Sequence, residues 1–325
     1  MKLAIFGAGM IVKDFLTMID RVPNVQLKAI MGVPADLATM EEMQAAHHID
    51  EVYTDVAACL SEADIDTVYV ALPNFLHYRF TKLALEAGKN VICEKPFVLT
   101  STQAQELAAL AEAKGLVLVE AITNQYLSNY AAIKQRMAAL GDIKVIECNY
   151  SQYSHRYDAF QAGTILPAFD PKKGGGALMD LNIYNIHFVV GLMGAPLSVH
   201  YYANVERNID TSGALVLNYP GTQVVCVAAK DCSAPVRSTI QGNRGSIQIA
   251  GPVNVLTGFT EELNDGTKET VDEKVDQHRM YEEFVAFEAM IADHDLAAAK
   301  QRMAHSLAVM NVVDAALADA GIKLG

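Results

Sequence analysis

The sequence predicts an α/β fold in two parts. A doubly wound parallel sheet occupies 1–121, and an α+β region with a mainly antiparallel, open sheet occupies 122–325. Three observations carry this reading. Apolar runs alternate with helical patterns through the first part, as a parallel sheet with crossover helices requires. After Ala121 the runs alternate residue by residue and are joined by turn chemistry such as Asn218-Tyr219-Pro220-Gly221, the mark of antiparallel strands with one wet face. A length of 325 residues with 51% apolar side chains suits two cores better than one.

The elements follow in order. Strands are expected at Leu3–Phe6, Val25–Met31, Val52–Thr54, Thr67–Leu72, Val91–Cys93 and Val117–Glu120. Helices fall between them at Met10–Asp20, Asp36–His47, Val56–Glu62, Tyr78–Ala87 and Ser101–Lys114. Thr100 or Ser101 caps the last of these, and Gly115 ends it. A helix over 129–140 opens the second part. Strands then run at Lys144–Ser151, Ser198–Val205, Ala214–Tyr219, Thr222–Ala229, Ser238–Gly242 and Ser246–Ala250, and two helices close the chain near Met280–Ile291 and His305–Ala320. The closing helices are candidates to pack back on the first part. Two such parts imply a cleft between them, where substrates usually bind.

Composition narrows the function. A formal charge of −13 argues against nucleic acid, whose phosphates need basic stripes. No apolar run reaches membrane-spanning length, and the chain opens directly on a strand with no leader pattern. Cys59, Cys93, Cys148, Cys226 and Cys232 are irregularly spaced, with no Cys-x-x-Cys to suggest zinc. An odd set of cysteines in an acidic chain points to reduced thiols and a cytoplasmic setting.

The first strand runs into Gly7-Ala8-Gly9-Met10-Ile11-Val12, the start of a dinucleotide fingerprint. Gly7 permits the turn, Gly9 lets the backbone approach a pyrophosphate, and the N–H groups of Met10 and Ile11 open the helix toward it. Val12 stands where the third glycine is expected, so the helix should sit slightly further from the strand. The second strand ends at Met31-Gly32-Val33, with no carboxylate for a ribose 2′-hydroxyl and no arginine for a 2′-phosphate. The cofactor expectation is therefore NAD(P), leaning to NADP.

Glu94-Lys95-Pro96 follows the buried run Val91–Cys93. A lysine there sits at the carboxyl end of a strand, where open α/β sheets bind ligands, on backbone that proline keeps extended. A solvated loop lysine is the plain alternative. Further on, Gly174-Gly175-Gly176 precedes a helical stretch in which Asp180, Tyr184 and His187 fall at i, i+4 and i+7 and so share a face. A carboxylate, a phenol and an imidazole on one face can serve chemistry, or can simply be a solvated face. Tyr153, His155, Arg156 and Tyr157 form a polar-aromatic cluster that reads as a mobile surface loop, with stacking on a sugar or aromatic ring as the alternative.

Together these residues resemble the glucose-fructose oxidoreductase / inositol dehydrogenase / rhizopine-catabolism (Gfo/Idh/MocA) family. The resemblance rests on Gly7-Ala8-Gly9, Pro73-Asn74 with His77, Ala87-Gly88-Lys89-Asn90-Val91 leading to Glu94-Lys95-Pro96, the glycine triplet with Asp180 and Tyr184, and Tyr219-Pro220-Gly221. A tyrosine four residues after the aspartate is similar to dimeric dihydrodiol dehydrogenases and glucose-fructose oxidoreductase; inositol dehydrogenase-like members carry histidine there. The resemblance implies a Rossmann domain, and hydride transfer between nicotinamide and a hydroxyl-bearing carbon of a sugar, polyol or dihydrodiol. It also implies dimers or tetramers built through the C-terminal sheet. It assigns Tyr184 as acid/base, Lys95 as its electrostatic partner and Asp180 as orienting carboxylate, these three with His187 contacting substrate. Gly7, Gly9, Met10, Ile11, Gly32, Pro73, Asn74, His77, Glu94 and Lys95 would hold the cofactor. Gln125 and Tyr126 stand where relatives often carry an arginine. A non-catalytic NAD(P)-binding sensor and an NAD-dependent glycosidase are alternatives within the same fold.

Overall fold

The computed structural model describes all 325 residues and divides them into two compact units. The first comprises Met1–Ala121 with Met280–Ser306, and the second Ile122–Arg279 with Leu307–Gly325.

The first unit alternates β1 (Lys2–Phe6), α1 (Met10–Leu16), β2 (Gln26–Met31), α2 (Leu37–His47), β3 (Glu51–Tyr53), α3 (Val56–Glu62), β4 (Thr67–Val70), α4 (His77–Glu86), β5 (Asn90–Glu94), α5 (Ser101–Lys114) and β6 (Leu118–Ala121). All six strands are parallel, in the order β3-β2-β1-β4-β5-β6. This is the Rossmann order, and the direction of winding reverses between β1 and β4. Registers pair Phe6 with both Met31 and Val70, and Val70 with Cys93. Gly7, Gly32, the segment after Val70, and Lys95 therefore all lie at one edge, the carboxyl ends of the strands. The central strands are buried on both faces, as helices on both sides demand. Thr100 caps α5 by accepting the Gln103 N–H, and Gly115 ends it in the left-handed region.

In the second unit, α6 (Ser128–Arg136) leads to β7 (Ile143–Ser151), α7 (Arg156–Gln161) and α8 (Ile183–Met193). Seven further strands follow: β8 (Ser198–Glu206), β9 (Ile209–Tyr219), β10 (Thr222–Ala229), β11 (Arg237–Gly242), β12 (Gly245–Ala250), β13 (Phe259–Leu263) and β14 (Lys268–Val271). They form one sheet in the order β14-β13-β12-β11-β7-β10-β9-β8, antiparallel except where β10 runs parallel to β7. Ile146, Cys148, Leu215, Leu217, Val224, Cys226, Ile240 and Ile247 line its buried face. Val145, Val216, Val225, Val227 and Thr239 on the other face are only partly covered or exposed.

Sequence reasoning missed β13 and β14. Their Thr-Glu-Glu-Leu and Lys-Glu-Thr-Val lack an apolar run, and their charge is held by a third residue. Arg136 reaches Glu261 and Glu269, each at 2.8 Å. The Arg156–Gln161 stretch is a correction of a second kind: it is a short helix and not a loop. Tyr157 and Phe160 pack with Phe169 and Ile209 into an aromatic cluster that no regular periodicity announces.

α9 (Tyr281–Ala292) and α10 (Leu296–Asp319) close the chain. α9 belongs to the first unit, where Phe284 stacks on Phe15 at 4.7 Å and on Tyr69 at 5.2 Å. α10 starts nine residues earlier than expected, because Asp295 accepts the Ala298 N–H and opens a run of strong helix formers.

Candidate active site

The turn after β1 is built for close approach. Gly7 has φ +121°, and a Cβ there would lie 2.4 Å from the Ala71 carbonyl oxygen, so no other residue fits. A Cβ on Gly9 would meet nothing within 4 Å. α1 begins with no side-chain cap and no acidic residue in its first turn, which leaves the N–H groups of its first turn without a side-chain acceptor. Met10 is 71% exposed beside them. These features fit a pyrophosphate: an open cradle at Gly9, uncapped N–H donors, and no competing carboxylate. Val12 in place of a third glycine is wholly buried, so the helix packs through it.

A Cβ on Gly32 would stand 2.8 Å from Met40 Sδ, a contact to the far end of a flexible side chain that the methionine could relieve by shifting. Asp36 lies further along, just before α2.

Lys95 is held by its neighbours. Glu94 is buried and accepts the Tyr69 hydroxyl at 2.6 Å and the Lys95 N–H at 3.2 Å. The Phe97 N–H donates to Glu120 Oε1 at 3.0 Å. The Lys95–Pro96 peptide is cis. His77, 1% exposed, places Nδ1 at 2.9 Å from the Pro96 carbonyl oxygen and Nε2 at 2.7 Å from that of Leu72. Burial pushes its pKa down, against the pull of those two carbonyls. Both ring nitrogens are thus committed to backbone. His77 shapes the loop of Pro73 and Asn74 and the segment around Lys95 without a nitrogen to spare for a ligand.

The second unit carries the other candidates on a helix with an unexpected start. Leu178–Asn182 form a π-turn before α8. The extra residue in each hydrogen-bonded ring rotates Asp180 relative to the helix proper, so the i, i+4, i+7 face of an ideal α-helix is not kept; such turns recur at functional sites. The Asp180 side chain is 38% exposed, Tyr184 is 7% exposed, and His187 is completely buried. His187 therefore presents no surface to a substrate in this structure, which departs from its expected role. Tyr184 lies beside Tyr150, ring centroids 6.1 Å apart.

Asn124 and Gln125 hold this helix from behind. Asn124 Nδ2 donates to the Tyr184 carbonyl at 2.8 Å and Gln125 Nε2 to that of His187 at 2.9 Å. Gln125 is thus a buried prop for α8. Asn182 and Asn185 fasten the other side through the Cys226 and Val227 carbonyls.

Two residues that sequence reasoning passed over adjoin Asp180 and the turn that carries it. Lys230, just past β10, places Nζ 2.8 Å from Asp180 Oδ2. Its signal was in the sequence: a lysine ending an apolar strand, the same pattern that marked Lys95. Asp210 on β9 is fully buried, and its Oδ2 accepts the Leu178 N–H at 2.6 Å and the Tyr201 hydroxyl at 2.7 Å. Burial pushes its pKa up to about 6, partly offset by those two donors. Gly176, at φ +103°, exists to let Asp210 in: a Cβ there would lie 2.1 Å from Asp210 Oδ1.

The oxidoreductase family with an NAD-binding Rossmann fold, GFO/IDH/MocA, matches residues 1–122, and its C-terminal domain matches 130–248. The chain belongs to the Gfo/Idh/MocA family. As a family member it is an NAD(P)-dependent oxidoreductase acting on CH–OH groups. It is 31% identical over 323 residues to scyllo-inositol 2-dehydrogenase (NADP(+)) IolU of Bacillus subtilis, covering 99% of this chain and 97% of that one. It is 29% identical to trans-1,2-dihydrobenzene-1,2-diol dehydrogenase of Xenopus tropicalis, over 76% of this chain and 74% of that one. In fold it is similar to KijD10, a 3-ketoreductase from Actinomadura kijaniata in complex with NADP and TDP-benzene, with a TM-score of 0.85 at 20% identity over 98% and 97% of the two chains. No helix of this family member is long and apolar enough to cross a membrane.

Proposed function

We propose that this protein is an NADP-preferring oxidoreductase that interconverts a secondary alcohol and a ketone on a cyclic polyol or sugar, with Lys95, Asp180 and Tyr184 as its working residues. The observation that carries this reading is Lys95 itself: a lysine at the carboxyl end of β5, with the backbone around it hydrogen-bonded by Glu94, Glu120 and His77. That degree of fixation supports a positioned charge over a solvated one.

The nicotinamide supplies hydride acceptance or donation when bound. Gly7, Gly9, Met10 and Ile11 would hold its pyrophosphate, and Gly32 with Pro73 and Asn74 would flank the rest. In oxidation, Tyr184 takes the hydroxyl proton. A phenol with an ordinary pKa of ~10 is a weak base at neutral pH, and an adjacent ammonium corrects this by favouring the phenolate. Lys95 provides that charge and stabilises the developing alkoxide. Asp180 orients the hydroxyl and keeps Lys95 protonated. In reduction Tyr184 returns the proton to the carbonyl oxygen. Acid–base help of this kind contributes roughly a hundred- to ten-thousandfold in rate.

The lean to NADP is supported by the absence of a carboxylate after β2 and by the cofactor in the names of the relatives. The cyclic polyol class is supported by the 31% identical dehydrogenase. The partly covered apolar face of the large sheet, with Tyr202 at its edge 70% exposed, supports a homodimer or homotetramer built through that sheet. Five free cysteines, four of them buried, support a cytoplasmic location.

The test is a screen of inositols, aldoses and dihydrodiols with NAD and NADP, followed by Tyr184→Phe and Lys95→Met on the best substrate. Turnover should fall at least ~100-fold in each with cofactor affinity retained. Near-full turnover in both variants refutes the assignment. Nitrophenol release from glycosides with catalytic NAD alone would replace it by the glycosidase chemistry.

A further inference from the structure

Lys230 is an enclosed cation to which the reaction above gives no task. Its side chain is 2% exposed. Nζ donates to the Ala168 carbonyl at 2.6 Å, lies 2.8 Å from Asp180 Oδ2, and stands 4.5 Å from the centroid of the Phe169 ring. A buried ammonium is costly unless it is paired and hydrogen-bonded, and these three contacts meet that demand.

The pair is asymmetric. The ammonium is sealed, while the carboxylate keeps 38% of its side-chain surface. An ion pair of this sort adds little stability over a well-packed apolar pair. It does fix where the carboxylate sits and favours its ionised form. Two other carboxylates stand near Lys230, and both are engaged elsewhere. Asp231 Oδ2 accepts the hydroxyls of Thr211 and Ser212 at 2.7 and 2.8 Å. Asp210 Oδ2 is taken by Tyr201 and the Leu178 N–H. Asp180 is the carboxylate that the Lys230 ammonium touches.

Ala168 and Phe169 lie in the segment that leads to the glycine triplet. Gly175 is pressed against that segment, since a Cβ there would come within 2.7 Å of the Pro167 carbonyl oxygen. Phe169 is anchored by stacking on Phe160, with centroids 5.0 Å apart. One ammonium thus joins three parts of the second unit: the end of β10, the segment around Ala168, and the π-turn that carries Asp180.

We propose that Lys230 is a positioning residue for the reaction, holding the Asp180 carboxylate in place from beneath and tying that placement to the Ala168–Phe169 segment. The proposal rests on the reading that Asp180 orients the reacting groups. It predicts that Lys230 acts on turnover through Asp180 and not on its own. It also assigns Asp180 to orientation, because a carboxylate paired to a sealed ammonium is a poor proton acceptor; the proton is left to Tyr184.

A double-mutant cycle tests it: Lys230→Met, Asp180→Asn and the double variant, each read as kcat and KM for the best substrate of the inositol and aldose panel. A misplacement of about 1 Å can cost ~100-fold, so Lys230→Met should lower kcat by 10- to 100-fold, with NADP affinity by nicotinamide fluorescence unchanged. In the Asp180→Asn background the same change should cost less than about threefold, the non-additivity expected of residues acting as a unit. Equal losses in both backgrounds, or wild-type kcat in Lys230→Met, overturn the proposal. Wild-type kcat in Asp180→Asn instead overturns the role of Asp180 itself, so the two failures are separable.

A substrate-free readout stands beside the kinetics. The Asp180 carboxyl followed by carbon NMR should titrate at higher pH in Lys230→Met than in the native chain, because the neighbouring ammonium is gone; no change refutes the pairing. Should Lys230→Met fail to fold, Phe169→Leu removes one contact and leaves the charge. It should lower kcat severalfold with Asp180 present and not at all with Asn there. Equal loss in both backgrounds again overturns the proposal.

Discussion

Asp210→Asn should make the second unit more stable at neutral pH, although it removes a buried hydrogen-bonded carboxylate. The folded chain holds the Asp210 proton up to about pH 6, and the unfolded chain only to 3.8, the ordinary value. At ~1.36 kcal/mol per pH unit, keeping the group ionised in the fold at pH 7.5 costs about 3 kcal/mol. The cause is burial; the Tyr201 hydroxyl, the Leu178 N–H and the Lys230 charge offset only part of it. Asparagine still accepts from Tyr201 and Leu178 with its oxygen. Its NH2 replaces Oδ1, an atom with no hydrogen-bond partner, and burying it unpaired costs ~1–3 kcal/mol. The net gain is therefore up to about 2 kcal/mol at pH 7.5. The sign is fixed by proton counting. Between pH 3.8 and about 6 the folded native chain binds more protons than the unfolded one, so its stability falls as pH rises through that window. Asp210→Asn lacks this slope, and its advantage should shrink and then vanish as pH is lowered from 7.5 to 4.5. Urea unfolding at four pH values across that range measures it, with the transition of the second unit followed separately. A variant less stable at pH 7.5 by the same amount at every pH would refute the reasoning.

Two further outcomes follow from the first unit. His77→Phe keeps the volume but removes the ring N–H, leaving the Pro96 or Leu72 carbonyl that accepted it without a partner. The loss should be about 1–3 kcal/mol in urea unfolding, with turnover falling more than NADP affinity because Lys95 adjoins the loop that His77 holds. Gly7→Ala and Gly9→Ala should separate fold from cofactor. The first forces a Cβ against the Ala71 carbonyl and should abolish a stable first unit. The second meets no protein atom, so its melting temperature should hold while NADP affinity, by fluorescence titration, falls at least ~10-fold, about 1.4 kcal/mol.

The parallel sheet was legible because each of its strands is a short apolar run bounded by turn residues, and local pattern suffices for that. The strands β13 and β14 were not legible, since their glutamates are tolerated only through Arg136, more than a hundred residues away in the chain. Asp180 and Tyr184 were legible as a pair from spacing. The π-turn that alters their relation was not, because hydrogen bonds to neighbours such as the one from Leu178 N–H to Asp210 set it. Gln125, which stands where relatives often carry an arginine, donates to the His187 carbonyl, a contact 62 residues away that no local pattern shows.

The sequence by itself determined the order of elements, the glycine turn, the lysine before proline and the family to which they belong. These are local: a missing Cβ, a fixed φ or a run of branched side chains acts within a few residues. Tertiary structure alone decided the electrostatics of the second unit. Whether an aspartate is propped on a lysine, as Asp180 is on Lys230, or buried and raised in pKa, as Asp210 is, depends on which strands bring charge and cover to it. Desolvation and Coulomb attraction act through space, and two aspartates thirty residues apart in one chain are told apart only by what the fold packs around them.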